Sequence, residues 1–371
     1  MARLRTARGG MQSAVGSAVL LGLLWAGPCY GYEAWTVTVA VDDAGPLATS
    51  AAEKVARLAG AAEGERVVCA TLGAGLGSGI AAKLLRVQEI VAQGARKAGD
   101  GPLLVGLCGH GTGALGGVAG LLAEPDGGGA TIAQVAEALG AGLRAGGREQ
   151  ADLIVLEMCR TASLEVAVEL APYAKQCALV AGDLVLPGLC WAQTVESAAG
   201  GPSVASGWIV GQLAGNRAQA GTGRAGIVLV DLGAARRLTA ALASTVQAAE
   251  TDRSTVYWAL GDLWGRRSPK EVQGVSVARL AARLAGVAPE GPVRVAAESL
   301  GGATREAQVG TWRLGGETWW TPELTLYVPA PFGGSLDAYE QACGLSRSSG
   351  YSRLLRAYEE HCLRSLPVRC H

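Results

Sequence analysis

The chain has 371 residues, of which 49% are apolar and 17% charged, enough to bury a sizeable core and to exclude a disordered chain. Its 32 Lys and Arg balance 32 Asp and Glu, and no long basic run follows the first few residues, which speaks against a nucleic-acid binder. The 55 glycines keep no triplet period, so a collagen-like helix is excluded.

Elements can be predicted in chain order. Arg3, Arg5 and Arg8 precede an apolar stretch from Ala14 to Gly27, and small residues follow around Cys29 and Gly31. Charged, apolar and small regions in that order predict an export signal over residues 1–31, with a retained anchor as the alternative. The apolar stretch is shorter than the ~20 residues of a membrane span, and no later stretch qualifies. A secreted or periplasmic protein is therefore expected.

Trp35 to Val41 is a buried strand by pattern. A helix from Ala51 to Ala62 and a strand from Arg66 to Thr71 follow. Gly73 to Gly79 fits neither the dinucleotide nor the P-loop pattern and is read as a loop. Lys83 to Ala95 reads as helix and Pro102 to Cys108 as a third strand. Thr131 can cap a helix whose Ile132, Val135, Leu139 and Leu143 recur at helical spacing. Asp152 to Met158 is then a strand, and Leu164, Ala167, Val168 and Ala171 mark another helix face. This alternation predicts an α/β fold, a mainly parallel sheet covered on both faces.

Further strands are expected at Cys177 to Gly182 and Gly226 to Val230, with late ones near Thr311 to Leu314 and Leu324 to Val328. Beyond about Ala235 helices dominate, including one through Leu238, Leu242 and Val246. The predicted organisation is a signal (1–31), an α/β domain (32–235) and a C-terminal extension of helices and strands (236–371). No cysteine or histidine cluster has metal-ligand spacing, and no EF-hand loop is present, so no cofactor is expected. Cys343, Cys362 and Cys370 can pair, although spacing gives no connectivity.

A right-handed crossover between the third and fourth strands would put both C-terminal ends at one sheet edge, where open α/β folds bind ligands. His110, the one histidine outside the C-terminal region, lies past one end and Cys159 past the other. A cysteine nucleophile with a histidine partner suits acyl transfer. The helix after Cys159 would favour its thiolate. Chance coincidence of a buried, inert cysteine with a strand-end histidine is the competing explanation.

Several blocks in order resemble the clostripain family of cysteine peptidases, in the caspase-like clan. Trp35-Thr36-Val37 is similar to its opening strand, His110-Gly111 to its histidine motif, and Glu157 through Glu165 to the block around its nucleophile. Ala181-Gly182-Asp183 with Pro187-Gly188 and Trp191, Val230-Asp231-Leu232, and Leu324 through Pro329 resemble later blocks. Glu157 stands where the family has Asp, Met158 where it has Ala, and Thr112-Gly113 where it continues with glycines.

The resemblance implies an endopeptidase with Cys159 as nucleophile and His110 as proton donor. Backbone N–H groups of Gly111 and Cys159 would hold the oxyanion, and Glu157 and Asp183 would be the acids of the pocket for the residue before the cut. It further implies protein or peptide substrates cut after Arg or Lys, and self-processing near Arg144 or Arg148. Related enzymes can depend on calcium. A catalytically silent scaffold on the same fold is the alternative. So is a structural Glu157, paired with Arg160 or another arginine.

Overall fold

Alternate residues of the central strands pack into two separate cores. Val37, Val39, Val41, Leu104, Leu153 and Val155 point to one face of the sheet. Ala40, Leu103, Val105, Leu107, Ile154 and Leu156 point to the other. A strand apolar at every position must be covered on both sides, and here it is.

The computed structural model describes residues 34–43, 48–61, 66–73, 79–124, 128–184, 188–199, 204–215, 225–265, 274–314, 321–328 and 336–365. The expected export signal lies outside these, as do most of the Gly73–Gly79 stretch, Pro187, Pro329 and Cys370. No described helix is long and apolar enough to cross a membrane.

The strands are β1 (Thr36–Val41), β2 (Val67–Thr71), β3 (Leu103–Cys108), β4 (Gly111–Ala114), β5 (Ala119–Leu121) and β6 (Ala151–Glu157). After them come β7 (Ala174–Gly182), β8 (Ala225–Asp231), β9 (Gly274–Ser276), β10 (Gln308–Arg313) and β11 (Thr325–Tyr327). Among the described residues, seven form one sheet in the order β10-β8-β7-β6-β3-β1-β2. The run from β2 to β7 is parallel, whereas β8 is antiparallel to β7 and β10 to β8. The expected α/β architecture is present, with an antiparallel flank that the strand pattern did not distinguish.

The first helices are α1 (Ala48–Ala61), α2 (Ile80–Ala98), α3 (Ile132–Ala145), α4 (Leu164–Leu170), α5 (Trp191–Ala199), α6 (Ser206–Ala214) and α7 (Leu232–Ala249). One face of the sheet is covered by α1, α5 and α6, and the other by α2, α3, α4 and α7. Thr131 caps α3 through a capping box: it accepts from the Gln134 N–H at 3.3 Å, and Gln134 accepts from the Thr131 N–H at 2.9 Å.

Two features join the later chain to the sheet. The late strand β10 becomes its edge, and β11, paired with β9, reaches the loop after β6. There Thr325 donates to the Ala162 carbonyl from its N–H at 3.0 Å and from its hydroxyl at 2.8 Å.

Candidate functional site

β3 and β6 are parallel neighbours with Cys108 opposite Glu157, as the crossover argument required. The ladder extends one step, the Gly109 N–H donating to the Glu157 carbonyl at 3.1 Å. His110 and Cys159 follow directly, both half-buried. They line one cleft of about 260 Å³, whose walls include Val41, Lys54, Leu58, Leu189 and Trp191.

Gly111 is pressed against the nucleophile loop. A Cβ there would lie 2.5 Å from the Cys159 carbonyl oxygen and 3.2 Å from the Cys159 nitrogen, so only glycine fits. Gly111 also opens the β4–β5 hairpin, which the glycine-rich sequence did not reveal. This hairpin packs on Arg160, a non-glycine residue in the left-handed region with φ 62°.

The thiol of Cys159 accepts from the Leu184 N–H at 3.3 Å. Burial pushes its pKa above the ordinary thiol value, and the Leu184 N–H offsets only part of that rise. The helix expected to follow Cys159 is set five residues beyond it. The helix α4 begins only at Leu164, where Ser163 caps the Val166 N–H at 3.3 Å.

Of the two acids expected in the pocket, only Glu157 lines the cleft. It is buried at 5% exposure and already carries a cation. Lys54 Nζ donates to Oε1 at 2.7 Å and to Oε2 at 2.6 Å. The Leu189 N–H adds a bond to Oε1 at 2.8 Å, and Trp191 Nε1 one to Oε2 at 2.5 Å. Asp183 instead lies outside the cleft with a 60% exposed side chain, ion-paired to Arg160 at 2.6 Å. Arg160 thus serves Asp183, and the partner of Glu157 is a lysine from α1 rather than an arginine.

Lys54 is the site residue that sequence reasoning missed. A signal was available: Ala51 and Leu58 stand one turn before and after it, both buried, so Lys54 shares the inward face of α1. Burial works to lower its pKa, but Cys108 and Glu157 outweigh that, and the net shift is upward. Gly106 supports the arrangement from below. A Cβ at Gly106 would come within 2.3 Å of the Trp191 ring, the ring that donates to Glu157.

Arg144 and Arg148 lie at the opposite edge of the sheet. Arg144 is in the last turn of α3. Arg148 is tied to the Gly99 carbonyl at 2.9 Å and to Asp152 at 3.2 Å, next to the start of β6. The 7 residues of β6, at about 3.3 Å each, separate this loop from Cys159.

All the described cysteines are free, Cys343 and Cys362 included. Among the described residues, no group of three or more His, Cys, Asp and Glu could hold a metal ion.

No family model matches the sequence, and no curated protein matches it. Solved structures do share the fold. One is a secreted C11 cysteine protease from Bacteroides thetaiotaomicron in complex with an irreversible peptide inhibitor, 14% identical with TM-score 0.58, covering 86% of this chain and 100% of that one. Another is an inactive zymogen C11 protease from Parabacteroides distasonis, 12% identical with TM-score 0.56, covering 85% and 98%. A third is "iotapain", a secreted C11 cysteine protease from Bacteroides thetaiotaomicron, 11% identical with TM-score 0.58, covering 88% and 99%. At these identities the likeness is one of fold: the caspase-like fold of the C11, or clostripain-family, proteases.

Proposed function

We propose that the chain is an exported cysteine endopeptidase that hydrolyses peptide bonds through Cys159 and His110. The supporting observation is that these two side chains line one cleft from the ends of adjacent parallel strands, in a fold shared with C11 proteases. Export rests on the charged, apolar and small order of residues 1–31 and on two of the matched structures being described as of a secreted protease.

The chemistry uses only groups of this chain. Cys159 passes its proton to His110 and attacks the scissile carbonyl, forming the Sγ–C bond. Backbone N–H groups of Gly111 and Cys159 hold the oxyanion, each donor worth roughly 3 kcal/mol in comparable sites. As the C–N bond breaks, His110 returns the proton to the leaving amine, and water then hydrolyses the thioester. A thiol with a raised pKa makes this proton transfer to His110 a requirement, because little thiolate exists beforehand.

That same raised pKa favours a second reading, a silent scaffold whose Cys159 is an ordinary buried thiol. Hydrolysis of a fluorogenic peptide panel by the mature protein separates the two. Cys159→Ala and His110→Ala should each abolish turnover, and the double variant should be no worse than either, since parts of one catalytic unit fail together. Turnover that survives Cys159→Ala would falsify the peptidase reading. Cleavage after Arg or Lys would require Glu157 to be open to a substrate cation, and Lys54 holds that position.

A further inference from the structure

We propose that Lys54 is the specificity-determining residue of this site: it serves as a permanent internal counter-ion for Glu157, so that the cleft takes peptides with an uncharged, apolar side chain before the cut instead of Arg or Lys. This rests on the peptidase reading and deepens it.

The Glu157 carboxylate is saturated. An ionised carboxylate offers about four lone-pair positions. Lys54 takes one on each oxygen of Glu157, the Leu189 N–H takes a third and Trp191 Nε1 a fourth. No acceptor position is left for a guanidinium or a second ammonium. An entering cation would have to expel Lys54, exchanging one ion pair for another with no gain in charge pairing.

The cleft also carries internal counter-charges for its acids. Among the described residues, three acids line it, Asp42, Glu53 and Glu157. Each lies within ion-pair distance of a cation from this chain: Lys83 is 3.0 Å from Asp42 and shared with Glu124 at 2.8 Å, Arg57 is 3.7 Å from Glu53, and Lys54 is 2.6 Å from Glu157. Two of those pairs are largely buried, with Asp42 at 0% and Glu157 at 5% exposure, where screening by water is weak. A substrate cation would meet the ammonium of Lys54 at close range, and like charges in a poorly solvated site repel strongly.

The walls are largely apolar. Val41, Ala51, Leu58, Cys108 and Leu189 give the cleft an apolar lining around the closed Glu157–Lys54 pair. Such a surface gains from burying an uncharged side chain and loses from stripping water off a charged one. Lys54 lies on a helix rather than a loop, one turn from the buried Ala51 and Leu58, which holds the ammonium in place.

The test is a set of fluorogenic peptides that differ only in the residue before the cut, with Leu, Met, Ala, Gln, Glu, Lys and Arg as the variants. Wild type should cleave after Leu or Met with kcat/KM about tenfold or more above Arg and Lys. Lys54→Met should shift the Arg-to-Leu ratio toward Arg by about tenfold or more, because it uncovers Glu157. Lys54→Arg, which restores the charge, should keep the wild-type order. Wild type that prefers Arg or Lys, with turnover lost in Cys159→Ala, overturns the inference while the peptidase reading stands. A Lys54→Met protein that folds but leaves the ratio unmoved overturns it equally. Should Lys54→Met fail to fold, the wild-type ratio alone decides. If no peptide is cleaved in a Cys159-dependent manner, the peptidase reading falls and the inference with it.

Discussion

Two buried glutamates flank the nucleophile, and their surroundings differ. Glu157, at the end of β6, receives an ammonium, an indole N–H and a backbone N–H. Glu165, in α4, is fully buried and receives the Tyr327 N–H at 2.7 Å and the Tyr339 hydroxyl at 2.8 Å, both on Oε1. Its Oε2 has no hydrogen-bond partner among the described residues. Burial raises the Glu165 pKa to about 7, against the pull of these donors. Depth is similar for the two carboxyls. A cation within reach is what separates them, because neutral donors do not repay the loss of water around a full charge.

The contrast can be broken most severely at Glu157. Glu157→Gln should destabilise the fold by about 3 kcal/mol, since it leaves the half-buried Lys54 without a counter-charge. Urea unfolding measures this. Adding Lys54→Met to that variant should recover most of the loss, and a double variant that merely sums two penalties would contradict the pairing.

At Glu165 the handle is pH. The unfolded chain releases this proton near 4.5 and the folded one only near 7. In between, the native state binds more protons, so stability falls as pH rises through that window and is level again above it. The total fall attributable to Glu165 is on the order of 3 kcal/mol. Glu165→Gln should flatten the profile between pH 5 and 7, and unchanged slopes in wild type and variant would sink the assignment.

The smallest effect belongs to the exposed pair of Asp183 and Arg160. Asp183→Asn should change stability by less than about 1 kcal/mol, because water already screens both charges. It should also leave the order of preferred substrates as in wild type. A loss comparable to that of Glu157→Gln would show that Asp183 is a pocket acid after all.

What could be read from the sequence follows from the range of the signals. The parallel strands and α3 are visible as local periodicities, and the meeting of His110 with Cys159 follows from one crossover rule applied to two of those strands. The direction of β8 was not visible, because Gly226 to Val230 is equally apolar in either orientation. The β4–β5 hairpin escaped because Gly111 to Leu121 carries too few side chains to alternate. The pairing of Glu157 with Lys54 was not visible, since it spans 103 residues and depends on how α1 settles on the sheet. Gly106 explains itself only once the Trp191 ring is seen above it.

The seam between β11 and the loop after β6 has a consequence in time. Thr325 clasps Ala162 across 163 residues, and Tyr327 reaches Glu165 across 162. During synthesis the thiol of Cys159 emerges long before the strand that fastens its loop, and domains complete themselves only as their chain becomes available. A nascent chain that has reached β8 therefore holds this loop only by its bonds to β7, from the Arg160 N–H to Gly182 and from the Ala162 N–H to Val180, each at 2.9 Å. Its final geometry is withheld until residues 325–327 have left the ribosome.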